Sequence, residues 1–174
     1  MEASSKGLAS FFVLNLFPVE KKIYTYTQAL QKAQKYCAYQ ERCQEEVREN
    51  LSGLGLDEDI VENVIAELVN NNFLNEERFA CAYARGKFKN NEWGWIKIEN
   101  ELKQRKISSY CITKAKKEID PSIYMETIEK LAAKKLKEVK GENLYNQKGK
   151  IYRYISGKGF ESDSVLRVIE NLLK

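Results

Sequence analysis

Three short stretches of the chain follow one template: LSGLGL at residues 51–56, LKQRKI at residues 102–107 and ISGKGF at residues 155–160. Each opens with an apolar residue and closes five positions later with another, across a tight turn of small or basic residues. The stretches start 51 and 53 residues apart, a spacing typical of stacked helical repeats. Each template therefore marks the end of one helix and the start of the next, in three similar units.

The residues after each template predict an amphipathic helix. Counted from the last residue of the template, the fifth, eighth and twelfth positions are apolar in all three units. These offsets fall on one face of an α-helix. The predicted core face consists of Val61, Val64 and Leu68 in the first unit, Ile112, Ala115 and Ile119 in the second, and Val165, Val168 and Leu172 in the third.

The turn inside each template needs a residue with a positive φ angle. Glycine adopts this conformation freely at the end of a helix, and an apolar residue commonly follows it. Gly55 and Gly159 hold this position in the first and third units, whereas Lys106 holds it in the second. The sequence therefore predicts a slightly strained turn at Lys106.

A further helix precedes each of these helix pairs. The apolar spacing predicts the three additional helices at residues 27–39, 76–88 and 121–139. Asn75 is placed to cap the second of them, and Asp120 followed by Pro121 suits the start of the third. With these helices added, each repeat contains three.

The predicted fold is all-α, with three tandem three-helix repeats that form an elongated, curved array. No unit alone buries enough apolar surface, so neighbouring units must stack or share helices. The expected organisation is an N-terminal arm at residues 1–24, an acidic first repeat at 25–72, a basic second repeat at 73–119 and a basic third repeat at 120–174.

Composition favours helix and argues against catalysis. The 174 residues include only 9 Gly and 2 Pro, far fewer turn residues than an all-β fold needs. The chain has no His, which excludes Ser-His and Cys-His nucleophile pairs and His-ligated zinc. The sequence therefore predicts a protein that is not an enzyme and that uses no cofactor or metal.

The cysteines and the apolar N-terminal segment favour a cytoplasmic protein. Cys37, Cys43, Cys81 and Cys111 lack C-x-x-C spacing, and buried thiols in a reducing compartment are the simplest interpretation. The apolar segment at residues 8–17 is too short to cross a bilayer, and no membrane association is expected. An arm that packs on the body or on a partner is favoured over a signal peptide, and an upstream extension of the reading frame stays open.

Charge is segregated along the chain. Residues 41–78 carry a net charge of −8, whereas residues 85–117 and residues 130–158 each carry +7. Such asymmetry predicts separate surfaces for different partners.

Basic residues of the second and third repeats are the predicted binding site for nucleic acid. Lys and Arg neutralise phosphates, and Trp93 and Trp95 between them are candidates for stacking on bases. The alternative is a solvated helix face with Trp93 and Trp95 buried between repeats. Of the two tryptophans, one is expected in the core. The predicted site residues are Arg85, Lys87, Lys89, Lys97, Lys103, Arg105, Lys148, Lys150, Arg153 and Lys158.

Most of these cations are expected to project into a common groove. Lys97 and Arg105 lie off the apolar stripes, so their replacement by Glu is expected to leave the helix content unchanged. Lys134 and Lys137 lie on a helix face that is expected to be solvated, and they provide the comparison.

Three motifs follow one another along the chain. They are NFLNEERFA at residues 72–80, continued by Tyr83 and Arg85, then WGWIKIENELKQRKI at residues 93–107 and YISGKGF at residues 154–160. In this order and spacing they resemble the RecX family of bacterial recombination regulators, over about residues 27–173. The second motif is similar to that family's G-x-x-[KR]-I-x-x-E-L-x-x-[KR]-G-I, and the third to its Y-L-x-x-[KR]-G-F.

Two positions depart from the family pattern. Lys106 stands where the middle motif usually has Gly, which affects the local turn. Gly157 stands where a basic residue often precedes the final Gly-Phe, which weakens the case for this turn as a contact.

The resemblance implies a small non-enzymatic modulator of RecA that docks in the groove of the RecA–single-stranded DNA filament. Family members restrain filament extension and so damp ATP hydrolysis, strand exchange and LexA cleavage, which implies a role in recombination, DNA repair and the SOS response. The alternative is a helix-turn-helix-like DNA-binding protein that acts without RecA. A monomer is expected, because an asymmetric, internally repeated chain suits a filament better than a two-fold DNA site.

Overall fold

The computed structural model describes residues 24–174, and the predicted arm lies outside the described residues except for Tyr24. Regular structure in this part of the chain is entirely α-helical. Unit 1 comprises α1 (Tyr26–Tyr39), α2 (Gln44–Ser52) and α3 (Glu58–Asn70); unit 2 comprises α4 (Glu76–Asn91), α5 (Trp95–Gln104) and α6 (Ser109–Lys116); unit 3 comprises α7 (Pro121–Glu138), α8 (Leu144–Gly157) and α9 (Ser162–Leu172). The prediction of an all-α fold built from three-helix units is confirmed.

The helix starts predicted from capping residues are confirmed. The Asn75 side chain accepts a hydrogen bond from the Arg78 N–H at 2.9 Å. The Asp120 carboxylate accepts from the N–H groups of Ser122 and Ile123, and Pro121 occupies the first turn of α7. Each cap satisfies backbone donors that have no partner inside the helix.

The turns have the backbone conformation that the templates require. Gly55 has φ of 72° and Gly159 has φ of 91°. Lys106 has φ of 57°, in a region that residues with a β-carbon adopt at a cost. The strain predicted for the middle turn is therefore present.

Each unit has its own hydrophobic core. The first template residue of every unit is fully buried, with Leu51, Leu102 and Ile155 at 0% exposure. In α9 the core position belongs to Ile169, which is buried, whereas Leu172 is 38% exposed. The prediction of Leu172 as a core residue is wrong, because Leu173 packs against the core at the end of α9 in its place.

Units 1 and 2 share a buried side chain. Cys43, which precedes α2, is 2% exposed and packs in the core of unit 2 with Phe79 and Ile107. Burial raises the pKa of the Cys43 thiol, which therefore stays protonated near neutral pH. This apolar contact holds unit 1 against unit 2.

Units 2 and 3 meet backbone to backbone. The Gly94 N–H donates to the Lys158 carbonyl at 2.9 Å, and the Ile96 N–H donates to the Gly159 carbonyl at 3.0 Å. A β-carbon on Gly94 would lie 2.3 Å from the Gly159 carbonyl carbon. The close approach therefore depends on glycine at position 94.

Tyr124 fills the junction of units 2 and 3. Its ring stacks on Phe88 at 5.6 Å between centroids and packs against Phe160 at 5.0 Å. Its hydroxyl accepts a hydrogen bond from the Trp95 N–H at 2.9 Å and donates to the Glu161 carboxylate at 2.6 Å. Burial, with the bond to Glu161, raises the pKa of Tyr124, so the hydroxyl keeps the proton that it donates.

Candidate nucleic-acid interface

Two of the predicted cations flank Trp93, the half-buried residue just before α5. The Lys97 ammonium lies 4.2 Å from the centroid of the Trp93 ring, and the Lys87 ammonium lies 4.9 Å from it. We call Lys87, Trp93 and Lys97 the Trp93 cluster. Trp95, by contrast, is 6% exposed and belongs to the core, as expected for one of the two tryptophans.

Arg105 is held by protein groups on several sides. Its guanidinium donates to the Glu101 carboxylate at 2.7 Å and lies 3.7 Å from Glu46 of unit 1 and 5.0 Å from the centroid of the Tyr83 ring. Its hydrogen bond lowers the pKa of Glu101, and burial raises the pKa of Tyr83 to about 12. Replacement of Arg105 by Glu would therefore remove contacts with two acids and a ring. That the helix content stays unchanged when Lys97 and Arg105 are replaced together by Glu stays a prediction.

Ion pairs between the acidic segment of unit 1 and cations of unit 2 join these two units. Besides the contact of Arg105 with Glu46, the Lys106 ammonium lies 3.1 Å from Glu45, and the Arg78 guanidinium lies 2.6 Å from Glu41. Glu45 and Glu46 lie in the first turn of α2 and Glu41 lies just before that helix, whereas the cations belong to unit 2. Three of the eleven acids in residues 41–78, which are Glu41, Glu45 and Glu46, therefore contact unit 2.

Four more predicted cations form ion pairs at or near the surface. Exposed pairs of this kind contribute about 0–1 kcal/mol, so their cations can exchange a carboxylate for a phosphate at little cost. The pairs are Arg85 with Glu118 at 2.5 Å, Lys103 with Glu99 at 2.6 Å, Lys150 with Glu142 at 2.6 Å and Lys158 with Glu92 at 3.7 Å.

Three predicted cations have no hydrogen-bond, ion-pair or aromatic-ring partner among residues 24–174: Lys89, Lys148 and Arg153. Lys89 is exposed near the end of α4 and lines a cleft of about 460 Å³ that also contains Arg85 and Lys130. A cation without a carboxylate partner is the best placed to bind a phosphate, because no protein contact has to be broken.

Lys148 and Arg153 lie together in a groove between α8 and α9. The groove has a volume of about 520 Å³, and Tyr145 and Leu166 also line it. Tyr145 is 86% exposed, so its ring is available for stacking. We call this the α8–α9 groove. Glu170 is its one carboxylate among the lining residues.

The structure therefore distributes the predicted cations instead of gathering them in one groove. Lys148 and Arg153 share the α8–α9 groove, and Lys87 and Lys97 share the Trp93 cluster. Arg105 lies at the junction of units 1 and 2. Lys150 belongs to neither site and forms an ion pair with Glu142.

Sequence reasoning missed Tyr145 as part of the candidate site. A signal was present, because Tyr145, Gly149 and Tyr152 follow the spacing i, i+4, i+7 and so define a second helix face. That face lies beside the buried residues Ile151 and Ile155 of the same helix.

The N-terminus of α5 is not available to an anion, although it lies next to the Trp93 cluster. Its N-cap is Gly94, which has no side chain to satisfy the first backbone donors. Tyr124 and Gly159 of unit 3 accept from the N–H groups of Trp95 and Ile96 instead. Phosphate contacts at the cluster would therefore come from its lysines.

The described residues offer no set of groups for metal or thiol chemistry. No cluster of His, Cys, Asp or Glu within residues 24–174 could hold a metal ion. Burial raises the pKa of Cys37 to about 11 and raises that of Cys111, which disfavours the reactive thiolate. Among the described helices, none has the length and apolar character needed to cross a membrane.

Comparison with protein families identifies one family along most of the chain. The models of the first, second and third three-helix domains of RecX match residues 29–68, 75–115 and 122–169, respectively. The matched segments follow the same order as the three units of the structure.

Similar proteins carry the same name. The chain is 30% identical over 148 residues to the regulatory protein RecX of Clostridioides difficile, which covers 85% of this chain and 69% of that protein. It is 27% identical over 173 residues to the regulatory protein RecX of Streptococcus uberis, covering 99% of this chain and 62% of that protein. The crystal structure of RecX from Lactobacillus salivarius has a TM-score of 0.76 at 24% identity, covers 84% of this chain and 96% of that chain, and shows the same fold.

Proposed function

The chain belongs to the RecX family of regulatory proteins, and on this basis we propose that it binds the RecA–single-stranded DNA filament and inhibits its extension. It acts as a cytoplasmic monomer, without catalysis of its own, in the control of recombination and DNA repair. The absence of His from the sequence and the raised thiol pKa of Cys37 support a role in binding rather than in turnover.

The α8–α9 groove is the main structural support for a contact with nucleic acid. There Lys148 and Arg153, which have no acidic partner among residues 24–174, lie beside the exposed ring of Tyr145. These cations can neutralise phosphates without first breaking an ion pair with a carboxylate. An exposed ring can stack on a base, and such stacking contributes about 1–3 kcal/mol to binding.

The Trp93 cluster is the second proposed contact. Lys87 and Lys97 lie within 5 Å of the Trp93 ring and have no ion pair in the described part of the chain. The paired cations Arg85, Lys103, Lys150 and Lys158 and the unpaired Lys89 add positive potential around these two sites. Arg105 contributes by holding unit 1 in place rather than by direct contact.

The test measures ATP hydrolysis by RecA on single-stranded DNA as this protein is added. The native chain is expected to reduce the rate, and Lys148→Glu with Arg153→Glu is expected to weaken that inhibition. Lys134→Glu with Lys137→Glu is the matched control, because both lysines are exposed on α7 and the change in charge is the same. Circular dichroism verifies that each variant keeps its helix content.

The outcomes separate the alternatives. Equal loss of inhibition in both variants means that net charge, not the groove, governs binding. If the native chain leaves RecA unaffected but binds single-stranded oligonucleotides, it acts on DNA without RecA, as the alternative from the sequence states.

A further inference from the structure

A cleft of about 700 Å³ lies at the junction of units 2 and 3 and has no role in the contacts proposed above. Trp95 and Ile119 of unit 2 and Pro121 and Tyr124 of unit 3 line it. The lining is predominantly apolar, and an apolar cleft of this size accommodates large side chains of a ligand. The residues of the cleft belong neither to the Trp93 cluster nor to the α8–α9 groove.

Two lysines flank this apolar lining. Lys116 and Lys117 are exposed at the end of α6, and neither forms an ion pair within the described residues. The carboxylate in the cleft, that of Glu161, already accepts the hydrogen bond from Tyr124. Two lysines against this one carboxylate give the lining a net charge of +1, which favours an acidic ligand.

The aromatic residues of the cleft are poorly placed to stack on bases. The Tyr124 ring packs against Phe88 and Phe160, and Trp95 is 6% exposed, with the Lys116 ammonium 5.5 Å from its ring centroid. A nucleobase needs an exposed ring face. An apolar side chain, by contrast, needs only the concave apolar wall that the cleft provides.

We propose that this cleft binds an acidic peptide segment of a partner protein that inserts one aromatic or large aliphatic side chain. The inserted side chain contacts Ile119 and Tyr124, and acidic residues beside it pair with Lys116 and Lys117. The peptide bridges units 2 and 3, because the walls of the cleft come from both. This site shares no residue with the proposed nucleic-acid contacts. The proposal also does not depend on the filament being the target of the α8–α9 groove.

The experiment selects peptides from a randomised displayed library on the full chain and measures the binding of synthetic copies. In a Trp93→Phe background, Trp95 is the remaining tryptophan, so its fluorescence reports occupation of the cleft. The enriched peptides are expected to be acidic around one aromatic or large aliphatic residue, and to shift the Trp95 emission.

Three variants locate the binding. Lys116→Glu with Lys117→Glu is expected to lower peptide affinity by about tenfold or more. Thr113→Phe, at an exposed position that lines the cleft, blocks it without changing charge and is expected to lower affinity as well. Lys134→Glu with Lys137→Glu has the same change in charge and is expected to leave peptide affinity unchanged.

Each opposite outcome overturns the proposal. It fails if the enriched peptides are not acidic, if no peptide binds, or if neither Lys116→Glu with Lys117→Glu nor Thr113→Phe lowers affinity. It also fails if the lysine variant instead abolishes binding of single-stranded oligonucleotides, which would make this surface a nucleic-acid contact. Because the peptide-binding measurement contains no RecA and no DNA, failure of the proposed filament regulation leaves its result interpretable.

Discussion

Gly94 and Gly159 lie in direct backbone contact, 65 positions apart in a chain whose helix-to-helix contacts are otherwise mainly within units. A β-carbon at position 94 would lie 2.3 Å from the carbonyl carbon and oxygen of Gly159, distances that require the backbone to move. The two glycines therefore set how closely unit 3 approaches unit 2.

Replacement of Gly94 by Ala is expected to destabilise the protein by about 1–3 kcal/mol, because the added methyl group overpacks the junction. Chemical denaturation measures the change in the free energy of unfolding. Gly86→Ala is the matched control, since Gly86 lies within α4 and has no atom within 4 Å of an added β-carbon. The control is expected to gain about 0.5–1 kcal/mol, as Ala is favoured over Gly in helices. Equal stabilities of the two variants would contradict the close contact.

Tyr124→Phe is expected to cost about 1–3 kcal/mol, because it leaves the Trp95 N–H and the Glu161 carboxylate without the hydroxyl between them. The ring contacts with Phe88 and Phe160 remain, so the loss isolates the hydrogen bonds. Tyr39→Phe removes a hydroxyl from a side chain that is 83% exposed and is expected to change stability by less than about 0.5 kcal/mol. A similar effect in both variants would rule out a special role for the Tyr124 hydroxyl.

Arg105→Ala is expected to lower the free energy of unfolding by about 1–2 kcal/mol. Glu46 and Glu101 lose the cation that they share, and the Tyr83 ring loses its contact with the guanidinium. Lys103→Ala, two residues earlier, removes only a surface pair with Glu99 and is expected to cost at most about 0.5 kcal/mol. Denaturation in urea at constant salt compares the two. Equal and small losses would mean that Arg105 does not fasten unit 1 to unit 2.

Tyr83 is expected to make stability fall at alkaline pH. Burial raises its pKa in the folded chain to about 12 from the ordinary value of 10.0. The folded state therefore holds the proton more tightly, so this contribution is complete below pH 10 and is lost as pH rises from about 10 to 12. The free energy of unfolding, measured across this range, should fall less steeply in Tyr83→Phe than in the native chain. Parallel curves would show that Tyr83 does not titrate differently in the two states.

The α8–α9 groove is expected to govern the salt dependence of DNA binding. Each phosphate contact to a single strand contributes about −0.7 to the slope of log affinity against log salt. Replacement of Lys148 and Arg153 by Glu is therefore expected to make this slope less negative by about 1.4. Fluorescence anisotropy of a labelled oligonucleotide measures the affinity at each salt concentration. The Lys134→Glu, Lys137→Glu variant should keep the native slope, and a matching decrease there would place the contacts elsewhere.

Local features of the fold were predictable because short-range physics controls them. The three-helix repeat follows from apolar spacing, the helix starts from Asn75 and Asp120, and the turns from Gly55 and Gly159. Each of these depends on interactions within a few residues along the chain. Leu172 shows the limit, since spacing identifies a helix face but not which residue packs against the core where the helix ends.

The candidate site was predictable only as a set of residue types. Lys and Arg density identified the second and third repeats as basic, and Lys87 and Lys97 of the basic run lie beside the Trp93 ring. The exposed Tyr145 was not anticipated, because the exposure of a ring depends on whether another helix covers it.

The sequence by itself determined that this chain forms three helical repeats, with charge divided between them. Only the tertiary structure decided which charges remain available: Arg78 and Arg105 meet acids of unit 1 that lie 37 and 59 positions away, whereas Lys148 and Arg153 meet none among residues 24–174. Helical periodicity acts over a few residues and can be read from the chain. The pairing of distant charges depends on how whole units pack, and that is set by contacts such as Cys43 in the core of unit 2 and Gly94 against Gly159.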